Sequence, residues 1–185
     1  MDIEKRITAA WQGRISGCLL GKPVEGLSMR EGYEKLNAFL NEAQSFPLRD
    51  YINYVEHDYI RGINKKCMKG KIEKAEIDDD ITYTVLCLMM LERYGLELKS
   101  EDVARTWLNM LPAGATFTAE REAYLNILKY ADMEFQFGGP KKFEITDIND
   151  NKFNDWIGAQ IRIDLSLIHI SEPTRRTPSS YAVFC

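Results

Sequence analysis

The sequence has few of the residues on which nucleophilic and zinc chemistry depend. Histidine occurs only as His57 and His169, and the four cysteines include no C-x-x-C pair. A G-x-S-x-G elbow for a serine nucleophile is missing, and so are the G-x-G-x-x-G and G-x-x-x-x-G-K-[ST] phosphate loops. These absences argue against a Ser/His or Cys/His hydrolase and against the common nucleotide-binding folds. Chemistry based on carboxylates and metal ions remains.

The chain also lacks an excess of positive charge and a long apolar run. Its formal net charge is -4 and its pI is about 5.3, which argues against a nucleic-acid partner. The N-terminal residues MDIEKRITAAWQGR are too charged for a signal peptide, and no run is long enough to cross a membrane. Cys18 and Cys87 lie in apolar helical runs and are predicted to be reduced core thiols. We expect a soluble, cytoplasmic protein without a membrane or nucleic-acid partner.

The most informative stretch runs from Glu76 to Gly95, EIDDDITYTVLCLMMLERYG. It opens with the carboxylates Asp78, Asp79 and Asp80 and continues with apolar residues at helical spacing. A helix N-terminus accepts negative charge, but three adjacent carboxylates repel one another, and burial of the apolar helix behind them raises that cost. A bound cation would relieve the repulsion, and oxygen ligands favour magnesium or calcium over zinc. The alternative is an acidic helix cap that water solvates.

Helical periodicity also predicts the rest of the architecture, which we expect to be all-α, without period-two strands or internal repeats. A long loop with short helical turns is predicted for residues 45–74, where Pro and Gly interrupt the pattern. The predicted helices are a first from Ile3 to Leu19 that stops at Gly21 and Pro23, a second from Ser28 to Leu40, the acidic-capped helix to Gly95, one from Ser100 to Leu111, one from Thr118 to Tyr130, and a short one around Trp156.

Residues 165–185, LSLIHISEPTRRTPSSYAVFC, do not continue this pattern. Back-translation of LSLIHISEPTR gives a DNA string that looks like a transposon-based sequencing-library adapter, and SYAVFC matches the far end of such an adapter. We therefore expect residues 165–185 to be a non-native adapter-derived tail and the natural reading frame to continue differently after Asp164. A genuine divergent tail is the alternative. Without the tail His57 is the only histidine, and we expect it to be a surface or packing residue of the long loop.

Four segments in order resemble the ADP-ribosylglycohydrolase family. GRISGCLLGKPVEG (13–26) looks like the first signature of that family, and IDDDITYTVL (77–86) is similar to its T-D-D-T metal motif. LPAGATFTAEREAYLN (111–126) and DWIGAQIRID (155–164) resemble segments of one bacterial branch. The similarity covers residues 1–164, which would form the N-terminal part of such a domain.

This resemblance implies an all-α fold of orthogonally packed helices with two Mg2+ ions, which hydrolyses the glycosidic bond of an ADP-ribosylated protein or ADP-ribose-containing small molecule. By position, Asp78, Asp79 and Asp80 would be metal ligands, and Glu25 and Asp79 would be the catalytic carboxylates. Three further residues would border the substrate cleft: Gly158, Gln160 and Arg162.

The chain departs from the family pattern at two positions and in length. Ile81 replaces the usual Thr, Cys18 stands where many members have Asp, and the chain stops before the second acidic metal motif. We therefore expect a truncated fragment that is inactive, with uncovered apolar helix faces. A non-catalytic relative that binds ADP-ribose or a cation, favoured by Ile81, and a purely structural helical domain are the alternatives.

Overall fold

A computed structural model of the protein describes residues 2–56, 63–142, 144–148, 150–153 and 161–162. These residues form helices and no strand beyond one isolated bridge between Asn53 and Lys69, which confirms the all-α prediction. The chain divides into two compact units, residues 1–81 and 82–185. The helices are α1 (Ile3–Glu42), α2 (Asp79–Tyr94), α3 (Ser100–Met110), α4 (Thr118–Tyr130), α5 (Met133–Gln136) and α6 (Ile145–Ile148), with 3₁₀ turns at Lys65–Cys67, Gly95–Glu97 and Ala113–Ala115.

Helix α1 runs past the predicted stop at Gly21 and Pro23, so that boundary was wrong. Pro23 lies inside the helix, where its ring is fully buried, and Leu19 and Leu27 are buried one turn to either side. This i, i+4, i+8 spacing keeps one apolar stripe against the core across the proline. Burial of that stripe therefore outweighs the backbone hydrogen bond that proline cannot donate.

The helical path is interrupted at Gly32, not at Ser28 as the capping pattern predicted. Gly32 has φ 77° and ψ -173°, a backbone region that is essentially restricted to glycine. The interruption turns the second part of α1 so that Phe39 and Ala43 join Leu27 in a buried cluster with Ile52 and Met68. The core of the first unit therefore depends on the backbone conformation of one glycine.

The long loop predicted for residues 45–74 is confirmed for its described part. Its one regular element there is the 3₁₀ turn Lys65–Cys67, and backbone hydrogen bonds hold it elsewhere. Lys69 N donates to Ile52 O at 2.8 Å, and Asn64 N donates to Pro23 O at 3.1 Å. The loop is thus attached to α1 through the proline that the helix contains.

Helix α2 begins at Asp79 and ends before Gly95, which has φ 67°, as the carboxylate cap and the glycine predicted. Its buried side chains are Tyr83, Leu86, Cys87 and Met90. The burial expected for this apolar helix holds on one side only, because the other face stays open. The exposed residues of that face are Val85, Leu88 and Met89.

The core of the second unit surrounds Trp107 of α3, which is fully buried and lies 5.7 Å from Tyr83, centroid to centroid. Arg105 Nε donates to Phe135 O at 3.0 Å and holds α5 to α3. The prediction of helices from Ser100 and Thr118 is confirmed, with the caps one residue earlier than expected. The helix predicted around Trp156 lies outside the described residues. No described helix has the length and apolar character needed to span a membrane.

Substitution of Gly32 tests how much the break in α1 matters. Gly32→Ala should lower the free energy of unfolding by about 1–3 kcal/mol, because alanine is strained at this φ and ψ. An added Cβ has nothing within 4 Å, so the cost is conformational and not a clash. Gly13→Ala, at a helical glycine with equally open surroundings, is the control and should stabilise by about 0.5–1 kcal/mol. Equal urea-denaturation midpoints for the two variants would contradict this account.

Candidate metal centre

One face of α1 carries three reactive side chains. Cys18, Lys22 and Glu25 follow one another at i, i+4 and i+7, a spacing that places them in a row along the helix. All three line an open cavity of about 410 Å3 in the first unit. Because α1 continues through Pro23, Glu25 stays in this row on the helix.

The acidic start of α2 forms the opposite side of the cavity. Asp78 directly precedes the helix, and its Oδ1 accepts a hydrogen bond from Asp80 N at 3.0 Å, the geometry of a helix cap. Asp78 is buried, whereas Asp80 is exposed at the cavity surface. The cap explains why an aspartate stands at position 78. A cap accounts for one of the three carboxylates.

The cavity brings together ligand atoms from segments that are far apart in the sequence. One atom each of Cys18, Asp78 and Asp80 lie within 4.8 Å of one another. A thiol and two carboxylates at this separation are close enough to share one cation. Glu25 lines the same cavity, so the structure brings Glu25, Asp78 and Asp80 together.

A lysine already neutralises part of this negative charge. Lys22 Nζ donates to Asp78 Oδ2 and forms an ion pair that is largely shielded from water. Burial would raise the pKa of Asp78, but the hydrogen bonds from Lys22 and Cys18 outweigh it and hold that pKa below its ordinary value. Burial would likewise lower the pKa of Lys22, yet its bond to Asp78 raises it. Both partners are charged at neutral pH.

Asp80 is the carboxylate that remains under electrostatic strain. Partial loss of hydration at the cavity wall, and then the charges of Asp78 and Asp79, raise the pKa of Asp80 to about 6. The charge of Glu25 acts in the same direction. At neutral pH a cation beside Asp80 would remove this repulsion, as the three adjacent carboxylates in the sequence suggested.

Cys18 belongs to the cavity and not to the core, so the prediction for this thiol was wrong. Its side chain is half-buried beside Asp78, whereas Cys87 is buried in the core as predicted. Burial and then the hydrogen bond to Asp78 raise the pKa of Cys18 to about 12. The thiol therefore stays protonated at neutral pH and donates to the carboxylate. In this state Cys18 supports Asp78 and is a poor metal ligand.

The remaining predicted site residues are not in this cluster. Asp79 is the first residue of α2; its charge acts on Asp80, but it is not one of the three residues whose ligand atoms converge. Gly158, Gln160, His57 and the predicted tail, residues 165–185, lie outside the described residues. Sequence reasoning missed Lys22, although its position four residues after Cys18 and three before Glu25 places it on the same helix face.

Arg162 lies in the second unit, where it forms a buried ion pair. Its Nη1 donates to Glu120 Oε1, and both side chains are almost fully buried. The guanidinium also lies 5.5 Å from the centroid of the Tyr83 ring. These contacts give Arg162 a structural role, and its predicted contact with a substrate stays a prediction.

Comparisons with protein-family models, with curated proteins and with solved structures found no match to this chain. The family resemblance of the sequence therefore stays a prediction.

Asp80→Asn tests the electrostatic strain in the cavity. Because folding raises the pKa of Asp80, the contribution of this group to the free energy of unfolding is complete below pH 4. That contribution is lost as the pH rises through about 6, where Asp80 ionises in the folded protein. The neutral variant should therefore be more stable than the parent at pH 8, by about 1 kcal/mol after allowance for solvent screening. Near pH 4 the two should be equal.

Urea denaturation from pH 4 to pH 8 measures this difference. Glu4→Gln, an exposed acid in the first turn of α1, is the control and should reproduce the pH profile of the parent. A stability difference for Asp80→Asn that does not change with pH would contradict the assigned cause.

Glu120→Gln tests the buried ion pair. The substitution keeps the shape of the side chain but leaves the Arg162 charge buried without a counter-charge. We therefore expect the free energy of unfolding to fall by about 3–5 kcal/mol. Asp50→Asn is the control, because Asp50 pairs with Lys69 at 2.5 Å with both side chains exposed and should leave the denaturation midpoint unchanged. A midpoint for Glu120→Gln within error of the parent would show that the pair is not formed.

Proposed function

We propose that this chain carries the first set of metal ligands of a magnesium-dependent ADP-ribosylglycohydrolase. The observation that supports the proposal is the cavity in which Asp78 and Asp80 lie beside Glu25. A structural helical domain needs one cap at the start of α2, and it has no need for an acid on α1 that faces two further acids. The substrate class comes from the family resemblance of the sequence.

The donor set fits one hard divalent cation. Asp78 and Asp80 supply carboxylate oxygens, and the open cavity admits the water molecules with which magnesium completes its coordination. The raised pKa of Asp80 is the energetic counterpart of that fit, because a cation would remove the repulsion that raises it. A second ion would need ligands beyond this cluster, such as those of the downstream motif that the resemblance implies.

Bound magnesium would polarise the reacting centre and acidify a coordinated water. The residues of this chain would hold and orient the substrate around it. Glu25 is exposed at the cavity, where it can accept a hydrogen bond from a ribose hydroxyl or from the attacking water. Asp78 and Asp80 would hold the cation, and Cys18 would orient Asp78 through its hydrogen bond.

A second candidate is a relative that binds ADP-ribose or a cation without hydrolysis. The observation in its favour is the Lys22–Asp78 ion pair, because an ammonium ion occupies the carboxylate oxygen that a metal would use. Ile81, which replaces the hydroxyl of the family motif, favours the same candidate. The two candidates differ in turnover, and only the first requires a cation at Asp78.

The first test is magnesium binding to the chain, measured by calorimetry and by thermal shift. We expect saturable binding that Asp78→Asn and Asp80→Asn each weaken at least tenfold, because each removes a charged ligand. Asparagine at position 78 can still cap α2, so a loss there reports the charge. Glu34→Gln, an exposed acid elsewhere on α1, is the control. Absence of binding at millimolar magnesium would favour the structural helical domain.

The second test is hydrolysis by the protein encoded by the source gene, whose reading frame is determined by sequencing across the codons of Asp164 and Leu165. We expect magnesium-dependent release of ADP-ribose from modified protein, lost with chelator and lowered at least a hundredfold by Asp80→Asn. Binding of magnesium and ADP-ribose without release would support the second candidate. Release that chelator does not affect would contradict the proposed mechanism.

A further inference from the structure

The first unit contains a second open cleft, of about 420 Å3, whose walls are mostly basic. It is formed by the loop that precedes the acidic start of α2. The lining comprises one aromatic ring, four lysines and two glutamates: Tyr54, Lys65, Lys66, Lys71, Lys74, Glu73 and Glu76. The formal charge of these side chains is positive by two units, in a chain whose net charge is -4. The local charge is therefore opposite to that of the whole protein.

Neighbouring carboxylates cancel only part of the positive charge of this cleft. Lys65 Nζ pairs with Glu56 at 3.0 Å, and Lys71 Nζ lies 4.6 Å from the centroid of the Tyr54 ring. Within the described part of the chain, Lys66 and Lys74 form no ion pair. The two glutamates of the lining are not within ion-pair distance of any of these lysines either. The cleft thus keeps ammonium groups available for a ligand.

The backbone that carries these lysines is held in place by buried anchors. Cys67 and Met68, between the lysines, are completely buried. Lys66 N donates to Asn64 Oδ1 at 3.1 Å, and Lys71 N donates to Met68 O at 2.9 Å. Lysines on an ordinary exposed loop would spread apart to reduce their repulsion. Here the buried anchors keep the backbone positions of Lys65, Lys66 and Lys71 close together, which lowers the entropic cost of binding one anion.

From this cleft we infer a binding site for the diphosphate group of a small-molecule ligand. Lysine binds phosphate oxygens as a point charge, and a cleft lined by charges of one sign concentrates ions of the opposite sign. A diphosphate carries at least two negative charges, and it can bind the ammonium groups of Lys66 and Lys74, which form no ion pair within the described residues. The cleft is also large enough for a diphosphate together with part of an organic group. This inference is independent of the proposed hydrolase activity and of any metal ion.

The test is calorimetric titration of the chain with inorganic pyrophosphate and with ADP, both in the presence of chelator. We expect saturable binding of each, weakened at least tenfold in the double variant Lys66→Gln/Lys74→Gln and weakened by added salt. The control is Lys5→Gln/Lys35→Gln, which removes the same charge from exposed positions of α1 and should bind as the parent does. Tighter binding of ADP identifies a nucleotide as the ligand, and tighter binding of pyrophosphate identifies the free anion.

A second measurement distinguishes this site from diffuse attraction. Saturating pyrophosphate should protect Lys66 and Lys74, but not Lys5 and Lys35, from acetylation by acetic anhydride, as read by mass spectrometry. Equal binding by both double variants, or equal acetylation with and without the anion, would overturn the inference. Because chelator is present throughout, neither result depends on the metal centre.

Discussion

The ion pair between Lys22 and Asp78 is the interaction on which the first unit depends. It joins the middle of α1 to the start of α2, across 56 positions of sequence, at a point where burial disfavours each charge alone. Asp78 also caps α2 and accepts the Cys18 hydrogen bond, so a single carboxylate satisfies a cation, a thiol and a backbone N–H. The pKa of Asp78 is lowered by these bonds, whereas the repulsion among the three adjacent aspartates raises the pKa of Asp80. The satisfied carboxylate and the strained one are thus two positions apart in the sequence.

This difference affects how the cavity would accept a metal ion. A divalent cation that binds Asp78 must displace or share the Lys22 ammonium, whereas at Asp80 the same cation would relieve the repulsion that raises the pKa. Cys18 strengthens the contrast, because its protonated thiol donates to Asp78 and adds no charge of its own. Aspartate at position 18, as in many members of the family that the sequence resembles, would add a fourth carboxylate to the cavity, beside Glu25, Asp78 and Asp80. The cavity of this chain therefore holds less negative charge than such a site, which favours a single ion here.

The sequence predicted those parts of the fold that depend on neighbouring residues. Helices α2, α3 and α4 follow from apolar spacing and from the Asp, Ser and Thr residues at their starts, and each was predicted within about one residue. The end of α1 was predicted wrongly, because Gly21 and Pro23 are local stop signals, and the buried stripe from Leu19 to Leu27 that overrides them needs partners from distant segments.

The same limit applies to the site. Three adjacent aspartates indicated a cation, but only the packing of α1 against residues 64–80 shows that Cys18, Lys22 and Glu25 face them. The lysines between positions 65 and 74 are evident in the sequence, but the net charge of -4 argued against a nucleic-acid partner. Only the folded chain shows that these lysines line one cleft.

The acidic cavity and the basic cleft share one support. Residues 64–80 carry the lysines of the cleft and then the aspartates of the cavity, and this segment has little regular structure of its own. Asn64 is hydrogen-bonded to Pro23 O, directly beside Lys22, and Met68 packs in the cluster with Leu27, Phe39 and Ile52. Phe39 reaches that cluster because the chain turns at Gly32. A change that loosens the cluster should therefore disturb both charged surfaces together, whereas substitution of a surface lysine or of Asp80 should affect one of them. The separation of these two classes of effect follows from the fold and does not depend on which ligands the two surfaces bind.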